Sequence, residues 1–150
     1  MGLKQNGEGS AESGSASVLA FAARLGVPAA GWAIQDGSGL SRGDLVTPAG
    51  IAALLVAMDR HPHAAAYRDS LPIAGVDGTL EKRMRGTPAE KRVQAKTGTS
   101  QLINALAGYV TTVRGDRLAF AMFVNNHAGR SREAVSAMDR VAAALAEARR

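Results

Sequence analysis

The sequence predicts an α+β fold, with helices through its first half and an antiparallel sheet near its end, closed by a C-terminal helix. Two observations carry this expectation. Residues 93–98, 102–113 and 118–124 form three apolar or alternating runs, the last two joined by the tight turn Arg114-Gly115-Asp116. Elsewhere apolar residues recur at the i, i+3, i+4 and i+7 spacing of helices buried on one side. The order strand, strand, strand, helix lays the last helix over one face of the sheet.

Residues 2–16 are rich in Gly, Ser, Glu and Asn, and residues 1–14 read as a flexible lead-in to a domain over 15–150. A helix is expected over 15–25, where Val18, Leu19, Ala22 and Leu25 share a face and Gly26 and Pro28 end it. Residues 31–34 read as a short extended link and Asp36-Gly37-Ser38-Gly39 as a turn. Thr47-Pro48 starts a second helix, with Thr47 as the cap, Pro48 in the first turn, and Ile51, Leu54, Leu55 and Met58 as the apolar stripe. That helix should stop near Asp59, before His61-Pro62. A short helix fits 64–70. Residues 71–92 look irregular, with Thr79 capping a possible short helix over 79–84.

In the last third, Leu102, Leu106 and Val110 fall at even spacing. Leu118, Phe120, Met122 and Val124 alternate with Ala119, Ala121 and Phe123, the pattern of a half-buried strand. Residues 125–129 break the strand. Ser131 is the expected cap of a final helix whose stripe is Ala134, Met138, Val141 and Leu145. There is no internal repeat.

At 150 residues the chain is long enough to bury a core. Only 4% of it is aromatic, so that core must rest on Ala, Leu and Val. The net charge of +5 suits anionic ligands such as carboxylates or cell-wall polymers. Lys82, Arg83, Arg85, Lys91, Arg92 and Lys96 cluster, but no aromatic residue is interleaved to stack on a base, so a solvated basic surface is expected and nucleic acid is not. No phosphate loop is present. With no cysteine, disulfides, thiolate metal sites and a cysteine nucleophile are excluded. No apolar run approaches a membrane span. Residues 1–14 hold no signal-peptide segment, so an exported protein would carry its address upstream of Met1. His61, His63 and His127 read as exposed loop histidines rather than metal ligands. Asp77, with Glu81, reads as a helix-start carboxylate. No metal and no cofactor are expected.

One motif carries chemistry. In Lys96-Thr97-Gly98-Thr99 a strand presents a positive charge, two hydroxyls and backbone N–H groups beside a residue without a side chain. A carboxylate and a developing oxyanion both suit that arrangement. Lys96 and Gly98 face one way, and Val93, Ala95 and Thr97 the other. Lys-Thr-Gly alone recurs by chance, and its neighbours give it meaning.

The run 93–99, then Ala105-Leu106-Ala107-Gly108-Tyr109-Val110, Leu118-Ala119-Phe120 and Asn125-Asn126, strongly resembles the penicillin-binding D-alanyl-D-alanine carboxypeptidases of peptidase family S13. Two upstream segments, 71–80 and 36–41, look like that family in the same order, so the resemblance covers about residues 12–148. It implies that the three strands belong to a five-stranded, serine β-lactamase/transpeptidase-like sheet covered by helices. It implies a serine-type carboxypeptidase or endopeptidase acting on peptidoglycan stem peptides through an acyl-enzyme, open to β-lactams, without a cofactor, in the periplasm or another extracytoplasmic space. Lys96 is then catalytic, placing charge and hydrogen bonds at the centre. Thr97, Gly98 and Thr99 bind substrate, the two threonines holding its terminal carboxylate and the Thr99 N–H donating to the oxyanion.

Such enzymes also use Ser-x-x-Lys and Ser-x-Asn. No serine from Ser10 to Ser136 has Lys three positions on or Asn two positions on. The chain therefore looks like a C-terminal fragment needing the missing N-terminal half of its domain, and it should not acylate alone. The half-sheet would leave an unpaired apolar edge at 118–124, so poor solubility or oligomerisation is expected. The alternative is a non-catalytic basic binding or structural module.

Overall fold

The computed structural model describes residues 7, 9–127 and 130–149. Its elements are helices α1 (Ala11–Arg24), α2 (Pro48–Asp59) and α3 (Ala64–Asp69), a 3₁₀ turn (Gly78–Leu80), strands β1 (Val93–Ser100), β2 (Ile103–Thr111) and β3 (Arg117–Asn125), and helix α4 (Ser131–Ala146). The α+β expectation holds. The chain divides into two compact units, Met1–Ala57 and Met58–Arg150.

In the first unit, α1 begins at Ala11, four residues before the expected start, because Ser10 caps it: the Ser10 Oγ accepts from Ser13 N at 3.1 Å. Its buried positions are Ser13, Ser17 and Ala22, whereas Val18 and Leu19 are only half-buried. The two serines are short enough to lie against a neighbour, and the Ser17 hydroxyl donates to Ser13 O at 2.9 Å instead of lying unpaired. Residues 31–45 form a loop closed by one antiparallel bridge, Ala33 to Leu45. Inside it Asp36 Oδ1 accepts from Ser38 N (2.8 Å) and Gly39 N (3.1 Å), which makes the expected turn. Thr47 caps α2 as expected, its Oγ1 accepting from Gly50 N at 3.1 Å. Trp32 lies over Gly50, where a Cβ would meet the indole at 2.6 Å.

The second unit contains the sheet, in order β1-β2-β3, antiparallel throughout. Its β1–β2 register sets Val93 opposite Val110, Thr97 opposite Leu106 and Thr99 opposite Asn104. The β2–β3 register sets Gly108 opposite Phe120 and Leu106 opposite Met122. Val93, Ala95, Leu106, Val110 and Phe120 form the core with Met138, Ala142 and Ala146 of α4. Leu80, Met84 and Ala89, from the irregular stretch before β1, complete it. The stripe of α4 is therefore Ala134, Met138, Ala142 and Ala146 rather than the expected set; Val141 is 48% exposed, and Leu145 is only half-buried. Four positions spaced by four follow one helix edge, and small residues there let the helix lie close to the sheet. Ser131 does not cap α4: it is the first helical residue, and Arg130 occupies the cap without a side-chain bond.

Two further expectations differ from the structure. Leu102 is not in a strand. It adopts φ 57° in the two-residue Gln101-Leu102 link between Ser100 and Ile103, and is exposed. This left-handed turn contains no glycine, so the sequence carries no signal for it. Thr79 caps no helix; only the 3₁₀ turn forms, with Asp77 before it. The Asp77 carboxylate reaches back, its Oδ1 accepting from Ile73 N at 2.7 Å. Gly115 does turn the β2–β3 loop, at φ 92°. Buried Thr112 closes that loop, its Oγ1 accepting from Arg114 N (3.3 Å) and Asp116 N (3.2 Å).

The edges of the sheet differ. Residues 72–74 run along part of β1, where Ala74 N donates to Val93 O (2.9 Å) and Ala95 N to Pro72 O (3.0 Å). Among the described residues no strand pairs with the outer edge of β3. Arg83 ties the irregular stretch to α4 through Asp139, at 2.6 Å. Asp59 Oδ1 accepts from both Arg68 (2.7 Å) and Arg117 (2.9 Å).

Tyr109 packs edge-on against Tyr67, ring centroids 6.5 Å apart. Burial pushes the Tyr109 phenol up to about 12 and raises that of Tyr67. Because the folded phenol resists ionisation while the unfolded chain ionises near pH 10, raising the pH above about 10 favours the unfolded chain. The phenol's contribution to stability is complete below about pH 10 and is lost as pH rises towards 12. Ultraviolet titration of phenolate should therefore show ionisation delayed beyond that of free tyrosine, ending together with unfolding followed by circular dichroism. Titration of both tyrosines near pH 10 in folded protein would contradict this packing.

Candidate active site

The motif lies on β1, with Lys96 and Thr99 exposed and Thr97 and Gly98 half-buried. Strand alternation decides where its backbone groups point. Ala95 N donates outward to Pro72 O, so the N–H groups of Thr97 and Thr99 leave by the same edge. Past residue 95 that edge meets no further backbone partner among the described residues. The Thr97 carbonyl also points outward, and Lys96 Nζ donates to it at 2.7 Å. A cation and two edge N–H groups thus share one open strip.

The hydroxyls are held from two sides. Thr97 Oγ1 donates to Thr79 Oγ1 at 3.0 Å, which ties β1 to the 3₁₀ turn. Thr99 Oγ1 accepts from Asn104 Nδ2 at 3.5 Å across the β1–β2 register. Gly98 lies opposite Ala105, where an added Cβ would come within 3.2 Å of the alanine methyl. Glycine here keeps the strand flat beneath an approaching ligand.

Sequence reasoning missed three residues that support the motif. Thr79, expected to cap a helix, instead braces Thr97. Asn104 is fully buried, and a polar side chain interrupting the even-spaced apolar positions of β2 was the available signal. His127, expected as an exposed loop histidine, is half-buried, with Nε2 2.9 Å from Asn104 Oδ1. His61 and His63 lie together before α3, ring centroids 5.3 Å apart. The turn at 36–41 belongs to the first unit.

Comparison with known proteins places the chain in a family. The profile of the D-Ala-D-Ala carboxypeptidase 3 (S13) family matches residues 1–145. A D-alanyl-D-alanine carboxypeptidase of Actinomadura sp. (strain R39) is 43% identical over 98% of this chain and 28% of its own length. The D-alanyl-D-alanine carboxypeptidase DacB of Haemophilus influenzae is 34% identical over 76% of this chain and 24% of its own. The chain thus spans less than a third of the length of these relatives. In three dimensions, penicillin binding protein 4 of H. influenzae complexed with a novel β-lactam superposes with a TM-score of 0.82, at 29% identity, over 93% of this chain and 34% of that one. The TLA-1 extended-spectrum β-lactamase shares the fold, with a TM-score of 0.70 at 18% identity. A profile match over nearly the whole chain, with a relative 43% identical over 98% of it, shows that the protein belongs to the D-Ala-D-Ala carboxypeptidase 3 (S13) family.

Proposed function

We propose that this chain supplies one wall of the catalytic cleft of a serine-type D-Ala-D-Ala carboxypeptidase or endopeptidase acting on peptidoglycan stem peptides outside the cytoplasm. The observation that carries this reading is the open edge of β1, where Lys96 Nζ and the Thr97 and Thr99 N–H groups face the same side. A peptide ending in a carboxylate can lie along that edge as an added strand, pairing its backbone with β1 and its anionic end with the Thr99 hydroxyl and the Lys96 charge.

A serine hydroxyl, supplied by a Ser-x-x-Lys segment outside these 150 residues, adds to the D-Ala-D-Ala carbonyl carbon. The carbonyl oxygen becomes an oxyanion and accepts from the Thr99 N–H. Lys96 contributes positive charge beside it. The C–N bond then breaks, the proton given up by the serine passes to the departing D-alanine nitrogen, and water hydrolyses the ester, its own proton returning to the serine oxygen. β-Lactams enter the same route, because their amide is attacked in the same way.

Fluorescent penicillin tests the proposal. The chain alone is expected to take no covalent label. Mixed or co-expressed with a family segment carrying Ser-x-x-Lys and Ser-x-Asn, it should restore labelling on that segment. Covalent label on the isolated chain, or no label in a well-formed pair, would overturn the reading.

A further inference from the structure

We infer that Asn104 and His127 are positioning residues that hold the Thr99 hydroxyl as an outward hydrogen-bond donor, and so set the preference of this edge for a carboxylate. The inference rests on the proposed role of Lys96-Thr97-Gly98-Thr99, and it assigns a task to two residues outside that motif.

The chemistry follows from donors and acceptors. Asn104 is fully buried at the β1-proximal end of β2, opposite Thr99, so its amide must find partners inside the protein. Among the described residues it has two: His127 Nε2, 2.9 Å from Oδ1, and Thr99 Oγ1, 3.5 Å from Nδ2. A carbonyl oxygen only accepts, so the His127 Nε2 must carry a proton and donate. The amide nitrogen only donates, so the Thr99 oxygen accepts. The hydroxyl proton of Thr99 is then not spent on Asn104 and is free to be donated to a ligand on the solvent side, where Thr99 is exposed. The three groups form a one-way relay: His127 donates to Asn104, Asn104 donates to Thr99, and Thr99 donates to an anion. Were the amide turned over, every polarity would reverse. Thr99 would give its proton inward and present only lone pairs, which repel a carboxylate.

The relay is also well anchored. Asn104 pairs in register with Thr99 on one side and with Val124 of β3 on the other, and His127 lies two residues past the end of β3. The Thr99 end of the amide is therefore set by the sheet, and the His127 end by the chain leaving β3.

Two measurements on the full 150-residue chain test this. First, long-range ¹H–¹⁵N spectra at a pH where imidazole is neutral report which ring nitrogen of His127 carries the proton. Nε2–H is expected, shifting towards a tautomer mixture in Asn104→Leu. An Nδ1–H tautomer in the unsubstituted chain would overturn the proposal outright. Second, N-acetyl-D-Ala-D-Ala and its C-terminal amide are titrated against the chain. Asn104→Leu should weaken the carboxylate ligand about fivefold and leave the amide ligand unchanged, as expected for losing the orientation of one charge-assisted hydrogen bond. Thr99→Val should do the same, and the double variant should lose about fivefold rather than the product of the two. Additive losses, or equal losses for both ligands with amide dispersion intact, would reduce Asn104 to a packing role. If neither ligand binds the unsubstituted chain, the reading of the edge as a carboxylate site fails, while the tautomer still judges the relay by itself.

Discussion

Replacing Gly108 with alanine is expected to unfold the second unit. A Cβ at this position would lie 2.1 Å from the Gln94 carbonyl oxygen and 2.6 Å from Ala95 Cα. Both are backbone atoms of the neighbouring strand, so no rotamer change can make room. The β1–β2 ladder must open or bend, and it opens in the middle of the core, beside Ala95 and Leu106, each fully buried. A clash of this kind should cost about 3 kcal/mol or more, a large share of the stability of a domain this size. The expected result is Gly108→Ala protein that lacks a cooperative urea transition by circular dichroism, or is recovered only in the insoluble fraction. Gly98→Ala is the matched control. Its Cβ would come within 3.2 Å of one methyl, that of Ala105, which can shift by a few tenths of an ångström. A loss of at most about 1 kcal/mol is expected there, and the urea midpoint should remain measurable. Equal stability of Gly108→Ala and unsubstituted protein would mean that the strands are not this close.

Gly108 also shows what was legible in the sequence and what was not. The run Ala105-Leu106-Ala107-Gly108-Tyr109-Val110 reads as a strand from its period, and its apolar face is the one found buried, apart from Leu102. The sheet, the final helix and the cap at Thr47 were all legible, because each follows from spacing or from one side chain near its own backbone. What escaped depends on partners distant in sequence. The buried stripe of α4 shifted from Val141 to Ala142 because closeness to the sheet, which periodicity does not encode, selects the smaller residue. The early start of α1 rests on a single serine hydroxyl within a Gly- and Ser-rich stretch that reads as loop. At the candidate site, the four motif residues are legible as a pattern, whereas the contacts of Thr79, Asn104 and His127 are not. They reach Thr97 and Thr99 across 18 residues, across a hairpin and through a third strand, and such pairings exist only once the register does.

Lys96→Ala should separate the site from the fold. Lys96 is exposed, makes one hydrogen bond to the carbonyl of the next residue, and forms no ion pair among the described residues. Removing it should change stability by no more than about 0.5 kcal/mol, the usual range for surface substitutions. The effect on chemistry should be far larger. In the pair formed with a Ser-x-x-Lys segment, the rate of penicillin acylation should fall by about 10²–10³, the cost of removing one preorganised charge or donor from a developing oxyanion. Lys96→Arg tests which property matters, because it keeps the charge but replaces a compact ammonium with a broad planar fork. If charge alone sufficed, Arg would restore most of the rate. If Nζ must also reach the carbonyl edge and the serine centre together, Arg should recover only part of it, with the deficit in the acylation step rather than in binding. Acylation by Lys96→Ala at the unsubstituted rate would place the working cation elsewhere, and the open edge of β1 would then serve to bind the peptide without contributing to its cleavage.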